Sequence, residues 1–177
     1  MELEQHFSDQ LKHSLHTNGV NTLYSTDQYL RKMLVKFVDS DQLFPQNQDP
    51  LLIEFMESGN NTHKLHDIGD RCLFLTGYFY DSLRKMGKGF VDYHYDIGRS
   101  AFGNLAGISR TLQSREMYNE LSGLFFPLSV AIGDLRLPSL GEKEALDIYS
   151  KWVITKDDRY KHTLSRLGIQ VDAGNKN

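Results

Sequence analysis

Residues 62–70 read THKLHDIGD, which sets two imidazoles and a carboxylate three to four residues apart. At 100° per residue, His63, His66 and Asp70 fall within an arc of about 60° on one helical face. Imidazole and carboxylate together suit zinc, iron or manganese, or the passage of a proton. The spacing is not the H-E-x-x-H of zinc proteases. It is not the E-x-x-H of di-iron bundles either, because no glutamate stands at a matching position. The same residues also suit the first turns of an ordinary helix, whose polar face is solvated and whose dipole favours a carboxylate. The solvated face is the favoured reading. A divalent metal held by His63, His66, Asp70 and His94 is the alternative, and no cofactor is favoured.

His94 lies on the apolar side of its helix with Ile97, Ala101 and Leu105, so it needs a hydrogen-bond partner in the core. Asp70 or a tyrosine hydroxyl would serve, and the metal reading requires His94 to meet His66 or Asp70. The expectation is a hydrogen bond in the core for His94 and solvent for the arc at 63–70. Arg71 and Arg99 are candidate anion-binding cations, Asp96 and Arg99 can pair at i, i+3, and Tyr95 can line a pocket or a partner surface. The candidate ligand- or partner-binding residues are therefore His66, Asp70, Arg71, His94, Tyr95 and Arg99. No catalytic residue is assigned. DIGDR and DIGRS carry single glycines and follow no strand, and Ser100 and Ser109 have no nucleophile-elbow context.

The elements that must position these residues are helical. Leu3, Phe7, Leu11 and Leu15 step by four along residues 3–16, a narrow stripe closed by TNG at 17–19. The next helix opens at STDQ, with Ser25 as cap and Gln28 reaching back. It gathers Tyr29, Leu30, Met33, Leu34, Phe37 and Val38 on one half. Asp49-Pro50 offers a cap and a first-turn proline for a short helix ending near Gly59. Thr62 caps a helix to about Met86 whose middle is apolar nearly all round, the mark of a surrounded helix. A helix from about Asp92 to Thr111 follows the GKG turn. Its glycines, among them Gly98, Gly103 and Gly107, cost about 1 kcal/mol each against alanine unless a neighbouring backbone approaches. Gly69 and Gly77 place that neighbour in the preceding helix. Ser114 caps a sixth helix with Met117, Tyr118, Leu121, Leu124, Phe125 and Leu128 inward, kinked or ended by Pro127. Helices over about 142–154 and 157–167 complete the chain. The spacing predicts an all-α, single-domain helical bundle of about seven or eight helices around a central glycine-containing hairpin at about 62–111. It also predicts a loosely attached N-terminal helix over 1–18, one domain over 24–168, and a disordered tail at 169–177.

Composition narrows the function classes. The 177 residues are 40% hydrophobic and 24% charged with net charge −3, a globular composition with no strongly basic half, so nucleic acid is not an expected partner. The longest apolar run, LSGLFFPLSVAI at 121–132, is too short to span a bilayer. The N-terminus lacks the order of a secretory signal, so a cytoplasmic location is expected. The one cysteine, Cys72, excludes an intrachain disulfide and is expected as a buried, inert thiol.

The run LHDIGDRCLFLTGYFYDSLRKMGKGFVDYHYDIGRSAFGNLA resembles a family of small bacterial cytosolic helical proteins with no established activity. The motifs that carry the resemblance are Gly69-Asp70, Leu73-Phe74, Gly77-Tyr78-Phe79, Ser82 to Lys85, Val91-Asp92, Tyr93-His94 and Gly98 to Phe102. YLRKMLVKFVDSDQLF upstream and IYSKW downstream extend it over about 29–168. The resemblance implies kinship and no activity. His94 departs from it, since the family's second aromatic stands there.

The function expected is a binding or regulatory module that acts through a protein partner or a small-molecule ligand on the hairpin at 62–111. A metal-dependent enzyme and a structural subunit of a larger assembly, including a homo-oligomer, are the alternatives. The N-terminal helix offers the subunit reading a groove-binding segment.

Overall fold

A computed structural model of the chain describes residues 2–38 and 50–171. Among these residues there are ten α-helices and no strand. They are α1 (Glu2–Thr17), α2 (Tyr24–Val38), α3 (Leu51–Ser58), α4 (Thr62–Tyr78), α5 (Tyr80–Lys85), α6 (Lys88–Ile108), α7 (Leu112–Gly123), α8 (Phe125–Asp134), α9 (Glu142–Thr155) and α10 (Asp158–Arg166). No described helix is long and apolar enough to cross a membrane. Within the span 24–168, read from the sequence as one domain, contacts separate two compact units, Met1–Gly133 and Asp134–Asn177.

In the first unit α4 is the central helix. Every residue from Ile68 to Gly77 is buried, as an all-round apolar sequence requires. Helix α6 packs along it where side chains are smallest. A Cβ added at Gly98 would stand 2.6 Å from Cys72 Cβ and 2.4 Å from the Phe125 ring. Gly69 admits the Phe102 ring in the same way, and Gly77 admits Ile132 and the Ser129 carbonyl. Gly103 and Gly107 meet no such neighbour, so the compensation expected for them is absent.

Several boundaries move by a turn or less. Asn61, not Thr62, caps α4 by accepting from the Lys64 N–H at 3.1 Å. Thr111, not Ser114, caps α7 by accepting from the Ser114 N–H. Ser25 lies inside α2, and Gln28 donates to the Tyr24 hydroxyl instead of closing a capping box. The long helix expected over 62–86 breaks at Phe79, which separates α4 from α5. Helix α6 begins at Lys88, four residues before Asp92, because Gly87 turns the chain at φ 122°, where a side chain would be strained. Pro127 sits in the first turn of α8, after α7 has ended at Gly123, where its missing N–H costs no helical bond. Pro50 precedes the first residue of α3. The Asp49 cap, the side chains of Leu3 and Val38, and most of the tail expected at 169–177 lie outside the described residues.

The N-terminal helix, expected to be loosely attached, packs its apolar stripe within its unit. Leu11 and Leu15 of α1 are buried, and the buried Ser14 hydroxyl donates to the Ala131 carbonyl at 2.7 Å. A buried stripe with a satisfied polar group is core packing.

The second unit carries α9 and α10. Gly141 N–H donates to Glu144 at the start of α9, and Lys156 ends it in the left-handed region. Asp157 caps α10 by accepting from the Arg159 N–H. Leu135, Trp152, Tyr160 and Leu164 are the unit's buried apolar side chains among the described residues, and Lys156 covers the Trp152 ring at 4.1 Å.

Candidate functional site

The first turns of α4 aim His66 and Asp70 at the space between α2 and α7, and each helix meets them with a tyrosine. Tyr29 of α2 donates to Asp70 Oδ1 at 2.5 Å and lies 3.0 Å from His66 Nδ1. Tyr118 of α7 lies 2.7 Å from His66 Nε2. The rings of Tyr29 and His66 stack at 5.8 Å, and Phe102 of α6 closes on Tyr29 edge-on. The solvated arc expected at 63–70 is thus corrected at two of its three members: Asp70 is buried and His66 half-buried, while His63 is exposed.

Burial sets the acid–base behaviour of this cluster. It pushes the Asp70 carboxyl up to about 6, against the Tyr29 hydrogen bond and the Lys36 charge, which pull it down. Lys36 Nζ lies 3.7 Å from Asp70 Oδ2 and 3.4 Å from Asp67 Oδ1. Desolvation, with the charges of His63 and Lys36, holds His66 below the usual histidine range. Burial and the Asp70 charge raise both tyrosines. The cluster at neutral pH is a carboxylate, a neutral imidazole and two intact phenols.

The other candidates go elsewhere. Arg71 is buried, bonded to Glu54 of α3 and 3.4 Å from Asp67. His94 is buried, and its Nδ1 donates to the Phe90 carbonyl at 2.8 Å. Its rings of contact are Phe90 and Tyr93, and it shares no partner with His66 or Asp70. Burial holds its pKa below the usual histidine range, against the Phe90 hydrogen bond, with the Arg71 charge adding to the effect. Tyr95 meets the Ser129 hydroxyl at 3.0 Å, and Arg99 is exposed. Cys72 is buried and its thiol pushed up to about 12.

His63, His66, Asp70 and His94 are therefore not gathered into one ligand set. Among the described residues no three or more His, Cys, Asp or Glu side chains are grouped to hold a metal ion. Both ring nitrogens of His66 already face tyrosine hydroxyls, so a metal there would displace one of them. Sequence reasoning placed Tyr29 and Tyr118 on inward faces without pairing them to α4. A tyrosine on an apolar face needs a buried partner for its hydroxyl, and that was the available signal.

Outside this cluster, exposed apolar side chains gather at two places. Helix α3 shows Leu52, Ile53 and Met56, and α9 shows Leu146, Tyr149, Val153 and Ile154. No family model, no curated protein and no solved structure matches the chain.

Proposed function

We propose that the protein is a helical binding or regulatory module of the bacterial cytosol that engages a protein partner through α9. The motif run from Gly69 to Phe102 supports placing it with the small bacterial helical proteins it resembles. The observation that carries the reading is the exposed stripe Leu146, Tyr149 and Val153, 68%, 43% and 44% exposed, at i, i+3 and i+7. At 100° per residue these side chains share an arc of about 60°. Trp152, about 60° round α9 from Tyr149 and with its ring 6.0 Å from the Tyr149 ring, is buried at the edge of this stripe. The apolar side of α9 thus extends beyond what its own unit buries, and apolar side chains left together in water mark a contact surface. The spacing is that of a helix read by a hydrophobic groove.

The hairpin at 62–111 is a poorer working surface than its sequence suggests, because the middle of α4 is buried on all sides. The paired state of His66 favours no metal-dependent reading. The test is capture of partners from the native cell by the full chain and by Tyr149→Asp/Val153→Asp. A partner retained by the native chain and lost by the variant, with helicity unchanged, supports the reading. A partner retained by both removes α9 from it.

A further inference from the structure

Tyr118, His66, Tyr29 and Asp70 are joined end to end by three hydrogen bonds that cross from α7 through α4 to α2, at 2.7, 3.0 and 2.5 Å. Each hydroxyl and the neutral imidazole has one proton to place, so the bonds cannot be oriented independently. With Asp70 ionised, Oδ1 only accepts and Tyr29 must donate to it. The Tyr29 oxygen then accepts from His66 Nδ1–H, Nε2 is bare, and Tyr118 donates to it. With Asp70 protonated on Oδ1 every bond is reversed. Asp70 donates to Tyr29, Tyr29 to Nδ1, and Nε2–H to Tyr118.

We infer that these four side chains form a proton wire and a single-proton switch, in which a proton entering at Tyr118 appears on Asp70 as His66 changes tautomer. The hops balance. The Tyr118 proton moves to Nε2 and is replaced from solvent, the Nδ1 proton moves to the Tyr29 oxygen, and the Tyr29 proton moves to Oδ1. Net uptake is one proton, and no side chain needs to rotate.

The charged and titratable groups around the wire define what the switch reads out. From α2 it is faced by Lys36 and from α4 by His63 and Asp67, while the Phe102 ring of α6 closes on Tyr29. When Asp70 is neutral, Lys36 loses the buried half of its ion pair and keeps only Asp67, which is half-exposed. The charged tie between α2 and the buried part of α4 is then released. The raised affinity of the Asp70 carboxyl for its proton brings this event close to physiological pH.

The experiment is nitrogen and carbon NMR of the full chain, with histidine rings and aspartate carboxyls labelled, between about pH 8 and about pH 4.5. His66 is identified by the signal lost in His66→Gln. The expected result is that its protonated and bare ring-nitrogen signals exchange places as pH falls, with the midpoint of the Asp70 carboxyl. Tyr29→Phe should abolish that coincidence. Two results overturn the switch: a His66 tautomer unchanged while Asp70 titrates, or a His66 that becomes imidazolium while Asp70 stays ionised. Both are read on the native chain, and His66→Gln serves only to assign the signal.

Discussion

Tyr29 Oη lies 2.5 Å from Asp70 Oδ1 and 3.0 Å from His66 Nδ1. One hydroxyl of α2 therefore closes two polar side chains of α4. Removing it leaves a buried carboxylate and an imidazole nitrogen without that partner. A lost hydrogen bond to a charged group costs about 1.5–3 kcal/mol. Tyr29→Phe should lower stability by about 2 kcal/mol. Tyr24→Phe, at a side chain 76% exposed, should stay within about 0.5 kcal/mol. Urea denaturation of the two variants checks the contrast, and equal midpoints would show that the contact is not formed.

Asp70 gives stability an unusual pH dependence. Its folded value of about 6 lies above the ordinary 3.8, so between these values the folded chain binds the proton and the unfolded chain does not. Its contribution therefore rises as pH falls from about 6 towards about 4, by up to about 1 kcal/mol per pH unit. Asp70→Asn should remove that slope. Denaturation midpoints of the native chain and the variant across this range should converge or diverge steadily, and parallel profiles would contradict it.

His94 acts in the opposite sense. Its folded pKa is lowered by burial, so the unfolded chain takes up the proton first as pH falls. The stability it contributes is full above the ordinary histidine value and is lost below it. His94→Phe, beside Phe90 and Tyr93, should flatten the loss of stability below about pH 6. An unchanged acid limb in thermal unfolding would show that His94 is not buried neutral.

Two glycines of α6 should respond with opposite signs. Gly98→Ala places a methyl 2.4 Å from the Phe125 ring and 2.6 Å from Cys72 Cβ, and overpacking of this kind costs about 1–3 kcal/mol. Gly103→Ala meets only the Ser122 hydroxyl at 3.6 Å and should stabilise the helix by about 0.5–1 kcal/mol. Calorimetry of both variants tests this. A shift of the same sign would mean that α4 and α6 do not approach at Gly98.

The fold was legible because the apolar period of 3.6 is continuous, and α4 announced its central place by being apolar nearly all round. Helix ends were less so where two residues able to cap stand within a turn, as with Asn61 beside Thr62 and Thr111 near Ser114. The polar cluster was half legible. His66 and Asp70 share an arc in the sequence, but the side chains that close them stand 37 to 52 residues from His66 and Asp70. Only the packing of α2 and α7 against α4 brings them together, and local spacing carries no record of that. Leu146, Tyr149, Trp152 and Val153 are legible together as the apolar residues of α9, yet periodicity alone does not tell that Trp152 is buried and the other three exposed.

The claim that α9 is the contact surface is tested most directly by photo-crosslinking in the native cell. The reactive side chain is placed at Tyr149, with Asp147, on the opposite side of the same helix and exposed, as the control. A discrete adduct from position 149, absent from 147 and lost when Val153→Asp is added, is the predicted result. Adducts of equal yield from both positions, or an adduct from 147 alone, would contradict it.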